Sequence, residues 1–341
     1  MLHVYRNTLT STRFTGLAAA LLCAWISGVQ TVHADDTVIL KPGAPTYAVQ
    51  AGRAHFGNAA IEASWVIAQD HLSDLTMTDR DNGQVLKADA PFELVLPNNQ
   101  MIKASDMHLL AAPSERPLAA DAKASNLAER FPGKVINASF GDTDGRFRVD
   151  WQLIQRDDSA YLREIVTITA LKQDEPISSV SLIPSTIDHA EVDGTVKGSP
   201  VIAGQMYMGF ENPLSDSDVR GKHVLLTMAR TLPLRKDQSI TYSAVAGVVR
   251  EGQLRRDFAA YVERERAHPY RTFLHYNSWY DIGYFTPYTE AEALDRINTF
   301  GEELSVKRGV KLDSFLFDDG WDDRSGSWHF SKDFPHGFVP L

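Results

Sequence analysis

The sequence holds one cysteine, Cys23, in 341 residues. That scarcity excludes a disulfide scaffold and any zinc ribbon built from cysteine pairs. Basic charge is also short: 34 Lys and Arg face 44 Asp and Glu, for a formal net charge of −10. A protein that grips nucleic acid carries a basic stripe, so no nucleic-acid partner is expected. No Gly-x-Gly pair occurs, which removes the glycine-rich phosphate cradles. Gly-x-Ser-x-Gly and His-Glu-x-x-His are missing too. Asp322 and Asp323 do not follow EF-hand spacing, and the expectation is no metal and no cofactor.

What is present first is an export signal. Arg6 and Arg13 precede the apolar run Gly16–Val29, which is too short to span a membrane comfortably. Val32-His33-Ala34 then supplies small residues at a cleavage site, so residues 1–34 read as a signal peptide and the mature chain starts at Asp35. Leu22 stands where a small residue should precede a lipidated Cys23, which argues against a lipoprotein. Cleavage removes two arginines and no acid, taking the net charge from −10 to −12 and leaving no cysteine. The expected destination is the periplasm or beyond, with no membrane insertion afterwards. Composition, at 43% hydrophobic and 23% charged, is that of a globular chain long enough to build its core without disulfides.

From Asp35 to Val249 the pattern is strand after strand. Ile61, Ala63, Trp65 and Ile67 alternate with Glu62, Ser64 and Val66, and Phe147, Val149, Trp151 and Leu153 alternate with Arg148, Asp150 and Gln152. A period of two predicts half-buried antiparallel strands. Further β-rich runs cover Phe92–Leu96, Tyr161–Leu171, Ile177–Ile183 and Ile240–Val249. Turn clusters at Asp81-Asn82-Gly83 and Gly141–Gly145 separate strands. Residues 35–250 are therefore expected to form a large β-sandwich. Residues 113–130, rich in Ala, Ser, Pro and charge, read as a surface loop or short helix.

After Val249 the period changes. Leu254, Phe258, Tyr261 and Val262 fall at helical spacing, predicting an amphipathic linker helix within residues 251–270. Thr272–Trp279 and Leu312–Phe317 read as buried strands. Between them, Thr289 and Glu292 form a capping box for a helix whose Leu294, Ile297, Phe300 and Leu304 share one face, ending at Gly309. Strand, helix and strand make one βαβ unit with parallel strands.

The chemistry is expected at the ends of those strands, where parallel α/β architectures gather ligands. The first ends in Asn277-Ser278-Trp279-Tyr280, the second in Asp318-Asp319-Gly320-Trp321. Of 33 aromatic residues, 16 lie between 270 and 338, so rings surround paired carboxylates as in a sugar site. Acids beside a glycine also serve as turn or capping groups, and aromatic rings also build cores.

The run Phe273–Trp279 followed by Asp318-Asp319-Gly320-Trp321 resembles the opening of the melibiase-type α-galactosidases, glycoside hydrolase family thirty-six and its relatives. Gly326-Ser327-Trp328 with Asp333–Phe338 resembles the family's next element, Gly-Asp-Trp and then Phe-Pro-x-Gly. Tyr280-Asp281 and Ser327 depart from the family pattern. The resemblance covers residues 272–341 and implies a (β/α)₈ barrel entered at residue 271. It also implies retaining hydrolysis of an α-linked oligosaccharide or glycoside, with Asp318, Asp319, Trp321, Trp328, Asn277 and Trp279 binding the substrate. Asp318 and Asp319 are neighbours on a strand and point to opposite faces, so they are not expected to flank one glycosidic bond. The family's nucleophile and acid/base lie on later strands, beyond Leu341. The barrel is thus expected to be incomplete here, with the chain inactive by itself. The alternative is a non-catalytic carbohydrate-binding or surface-interaction protein, or a decayed gene product. Oligomeric state is left open.

Overall fold

In the computed structural model, residues 41–341 are described, and the signal-peptide reading of residues 1–34 lies outside them. Most of the regular structure in the described residues is antiparallel sheet, with few helices. One sheet orders its strands Thr46–Gln50, Arg53–Gly57, Ile61–Ala68, His71–Asp79, Val85–Ala88, Ser179–Thr186, His223–Ala229 and Asp216–Arg220. Phe92–Val95 also pairs with Ser179–Thr186 and carries Met101–Lys103 on its other edge. The second sheet runs Ala190–Val192, Val201–Ala203, Met206–Phe210, Ser239–Val248, Tyr161–Ala170, Phe147–Arg156, Gly133–Gly141 and His108–Leu118.

The period-two pattern sets which faces meet. Ile61, Ala63 and Trp65 are buried on the first sheet, and Phe147, Val149, Trp151 and Leu153 on the second. All seven belong to one hydrophobic core that draws on both sheets. Trp65 meets Trp151 edge-on at 6.0 Å, and Phe92 meets Phe140 edge-on at 5.5 Å. Such T-shaped pairs add about 0.5–1.5 kcal/mol beyond the area they bury.

Within residues 113–130, the part after Leu118 is loop with a short 3-10 helix at Ala128–Arg130, as expected, and the part before it differs. His108–Leu118 is a strand that edges the second sheet against Gly133–Gly141. Its register slips twice, between Leu109 and Ala111 and again before Ser114. Pro113 and Pro117, which would break a central strand, are tolerated on an edge with bulges, and partner pairing outweighs the loop-like composition.

The helix spans Leu254–Glu265. Leu254, Phe258 and Tyr261 pack on Tyr161, Tyr207, Val245 and Val249 of the second sheet. Val262, expected on the same face, is exposed instead, because the contact surface is narrower than the sequence stripe. Polar groups fasten the seam. Tyr161 donates to Glu265 at 2.6 Å, Tyr261 to Glu211 at 2.8 Å, and Arg163 bridges Glu211 and Glu265 at 2.6 and 3.5 Å. Gly247 is required here: a Cβ would lie 2.3 Å from the Tyr207 ring.

The remaining segment contains the expected parallel pair, His275–Asn277 with Ser314–Leu316, each shorter than the sequence suggested and not buried as expected: of the paired residues only Tyr276 is buried, while Phe273, Leu274 and Leu316 are exposed. Glu290–Phe300 lies between them, capped by the Thr289–Glu292 box and continued by a π-helical turn over Gly301–Val306. Tyr288, Ala293 and Phe334 form a small core of their own.

Glu164 is fully buried within the second sheet. Its Oε1 accepts the Trp151 Nε1 hydrogen at 2.6 Å, while Oε2 has no hydrogen-bond partner. Burial pushes its pKa up to about 8, against the pull of that hydrogen bond. Above the ordinary glutamate range and below about pH 8, the folded chain keeps a proton that the unfolded chain has released. Stability is therefore full at low pH and falls as pH rises through that window. Glu164→Gln keeps an acceptor for Trp151 and removes the titration. Denaturant melts at intervals from about pH 5 to about pH 9 should show a declining stability in the native chain and a flatter profile in the variant. Parallel profiles would refute the assignment.

Candidate functional site

The two parallel strands end side by side, with Asn277 in register with Leu316, and a hydrogen-bond knot joins the segments beyond them. The Ser278 side chain is fully buried. Its Oγ accepts the Asp318 backbone N–H at 2.8 Å and donates to the Tyr288 hydroxyl at 3.4 Å. Tyr288 donates in turn to the Asp318 carbonyl at 2.8 Å. Both peptide groups of the second strand's exit are thus held by side chains from outside that strand. Tyr288 itself is fixed from below. It precedes the Thr289 cap and packs on Ala293, the contact of a hydrophobic staple. Burial, aided by the carboxylates of Asp318, Asp319 and Asp322, raises its pKa despite the Ser278 hydrogen bond.

Two glycines let the backbones come this close. At Gly283 a Cβ would sit 3.1 Å from the Ser278 carbonyl and 3.3 Å from that of Asp319. Gly320 has φ +117°, and its Cβ would lie 3.0 Å from both the Thr286 carbonyl and the Tyr288 ring. Only glycine adopts that backbone readily.

The two aspartates are not equivalent. Asp318 Oδ1 accepts the Asp319 N–H at 2.8 Å, which is the local turn role that acids beside a glycine often take. The Asp319 side chain is exposed and engages no hydrogen bond or ion pair among the described residues. Asn277 Oδ1 accepts the Trp279 N–H at 2.9 Å, leaving its amide NH₂ uncommitted. Polar groups that remain open thus sit at the ends of both strands.

The rings divide into two groups. Trp321 lies 6.1 Å from Trp328, 5.3 Å from Phe330 and 5.1 Å from Phe338. A short hairpin presents this group: Ser331 N–H donates to the Trp321 carbonyl and Asp323 N–H to that of His329. Trp279 belongs to the other group, edge-on to Tyr284 at 5.4 Å and to Phe285 at 4.8 Å. Trp328 is 75% and Phe285 69% exposed, and both hold left-handed backbone, φ +58° and +52°. Bulky residues rarely take that conformation, and such outliers concentrate where a fold presents side chains for use.

Among the six residues expected to bind, the structure joins Asn277 to Trp279, Asp318 to Asp319, and Trp321 to Trp328. No ring contact unites Trp279 with Trp321. Ser278 and Tyr288, the hub of the knot, are not among the residues the sequence pattern singles out. An apolar residue directly before a capping box was the available signal for Tyr288. Ser278 had none, since a serine is seldom fully buried. No group of three or more His, Cys, Asp or Glu fit to hold a metal occurs among the described residues.

Gly320→Ala should destabilise the chain by about 1–3 kcal/mol through backbone strain and crowding together. Gly309→Ala is the control, with φ +66° and no atom within 4 Å of a Cβ. Urea melts that give the two variants equal losses would show that crowding at Gly320 contributes nothing.

No family model matches the sequence, and no curated protein matches it. Solved structures do. The GH36 α-galactosidase AgaA from Geobacillus stearothermophilus is 14% identical at a TM-score of 0.49, covering 84% of this chain and 53% of its own. The galactosidase domain of an α-galactosidase-sucrose kinase, AgaSK, is 10% identical at 0.49, covering 82% and 51%. The α-N-acetylgalactosaminidase NagBb from Bifidobacterium bifidum is 12% identical at 0.39, covering 81% and 51%. The chain thus spans about half the length of the solved structures it resembles.

Proposed function

We propose that this chain supplies the β-sandwich and the first sugar-holding rim of an α-galactosidase-like glycoside hydrolase. One observation carries the reading: the uncommitted Asp319 carboxylate stands at the joined exits of two parallel strands, in a segment dense with exposed rings. A carboxylate accepts two hydroxyl hydrogens of a sugar at once, in charge-assisted bonds of about 1.5–3 kcal/mol each. Indole and phenyl faces cover the C–H faces of the same ring. The sequence motifs at residues 272–341 point to the same substrate class, an α-linked glycoside.

In this reading Asp318 and Asp319 hold substrate and do not cleave it. Retaining hydrolysis needs two carboxyl groups about 5 Å apart on opposite sides of one bond. Asp318 has Oδ1 turned onto its own chain, against the Asp319 N–H. Its remaining oxygen and Asp319 would orient hydroxyls, with Trp279 and Trp321 as walls. The nucleophile and acid/base are not assigned to any of the described residues.

Tryptophan fluorescence titrated with methyl α-galactoside tests the site. Asp319→Asn keeps the shape and removes the charge, and should weaken binding by about tenfold to a hundredfold. Equal affinity in the variant, or no saturable binding in the native chain, would leave Asp319 as a turn residue.

Export belongs to the same proposal: residues 1–34 direct the chain out of the cytoplasm and are removed. N-terminal sequencing of exported material should begin at Asp35. Recovery of Met1 in that material would overturn the assignment.

A further inference from the structure

A second site lies away from the strand exits, on the second sheet. A cavity of about 150 Å³ opens where Met206–Phe210 ends beside Tyr161–Ala170 and Ser239–Val248. Ile165 gives it an apolar floor, and Arg163, Glu211, Asn212 and Ser243 give it polar walls, while the Phe210 side chain belongs to the core between the sheets. It is smaller than the pockets of about 300 Å³ and more that enclose drug-sized ligands. One small ring is the size it takes.

The electrostatics select the ligand class. Arg163 is the charged donor in the wall, and its guanidinium is already paired with Glu211 at 2.6 Å and Glu265 at 3.5 Å. An anion entering here meets one cation whose charge two carboxylates more than offset. A cation finds no uncommitted carboxylate oxygen. Glu211 gives one oxygen to Tyr261 and the other to Arg163, and Glu265 gives one to Tyr161 and the other to Arg163. All four carboxylate oxygens have protein partners.

Two groups remain open. Asn212 Oδ1 accepts the Leu214 N–H at 2.9 Å, but its amide NH₂ has no partner, and neither has the Ser243 hydroxyl. The amide donates two hydrogen bonds, and the hydroxyl donates one and accepts up to two. A neutral ligand with adjacent hydroxyls and an apolar face satisfies both groups and covers Ile165.

We propose that this cavity binds one neutral pyranose ring of a glycoside, as a second, non-catalytic sugar site on the sandwich. The choice of a sugar over another neutral polyol rests on the function proposed above; the neutrality and the size do not. The site lies directly beside the Tyr161–Arg163–Glu211–Glu265 network that fastens the helix Leu254–Glu265 to the sheet. Its walls are therefore rigid before a ligand arrives, which lowers the ordering cost of binding.

Amide-resolved NMR of the exported chain, titrated with methyl α-galactoside and separately with inorganic phosphate, tests the proposal. The sugar should shift the amides of Phe210, Glu211, Asn212 and Ser243 saturably, and phosphate should leave them in place. Ser243→Leu fills the cavity and should abolish those shifts, while shifts at Asp318–Trp321 persist. Asn212→Asp keeps the volume, reverses the polarity and should weaken binding at this site by about tenfold. Sugar shifts confined to Asp318–Trp321 would overturn the second site and keep the proposed function. Shifts confined to the cavity would do the reverse. Saturable phosphate shifts at the cavity would overturn the assignment to a neutral ligand.

Discussion

Two indoles meet at the centre of the two-sheet core, and of their N–H groups that of Trp151 finds an acceptor while that of Trp65 does not. Trp151 wedges between the sheets, edge-on to Trp65, and its N–H lies where water does not reach. An unmet donor in such a place costs about 1–3 kcal/mol. Glu164, on the neighbouring strand and opposite Leu153, supplies the acceptor. The cost is a buried acid whose second oxygen has no partner. Protonation resolves that conflict by removing the charge, which is why burial lifts the pKa of this group so far. Packing of the largest side chains and the pH response of the fold are thus the same interaction seen twice.

The helix Leu254–Glu265 shows how the sheet's outer face is extended. Its apolar contact alone is modest, resting on Leu254, Phe258 and Tyr261. Around that contact, two tyrosines, one arginine and two glutamates complete each other's hydrogen bonds. Burial raises the pKa of both Tyr161 and Tyr261, and the glutamates they donate to reinforce the shift, so both hydroxyls stay protonated. A fully satisfied network of this kind fixes one geometry, because any shift breaks several bonds at once. The same network leaves the adjoining cavity with no uncommitted carboxylate oxygen.

At the strand exits the governing constraint is closeness. Ser278 and Tyr288 tie the turn of Asp318 to the end of the other strand, and Gly283 and Gly320 leave room for it. The result is an asymmetric pair of acids, one turned partly inward and one facing solvent. Rings that would be core elsewhere are held outward at Phe285 and Trp328 by left-handed backbone. The segment thus presents carboxylate, amide and aromatic groups near the ends of both strands.

Much of this was written locally. The alternation around Trp65 and Trp151 named the buried faces, and those faces became the core. The capping box at Thr289 fixed the start of its helix, and parallel pairing agreed with the strand–helix–strand order. These features depend on neighbours a few residues apart, which a sequence shows directly. Other outcomes needed partners far along the chain. His108–Leu118 is a strand because Gly133–Gly141 pairs with it, whatever its own prolines prefer. Ser278 became a buried hub because Asp318 and Tyr288 arrive from 40 and 10 residues away in sequence. Asp319 alone of its pair was left free, and that division depended on which hydrogen bonds the folded backbone completed. Residue type and spacing determined the elements and the kinds of group at their ends; only tertiary structure decided which of those groups remained unsatisfied, because satisfaction is a property of contacts and not of sequence.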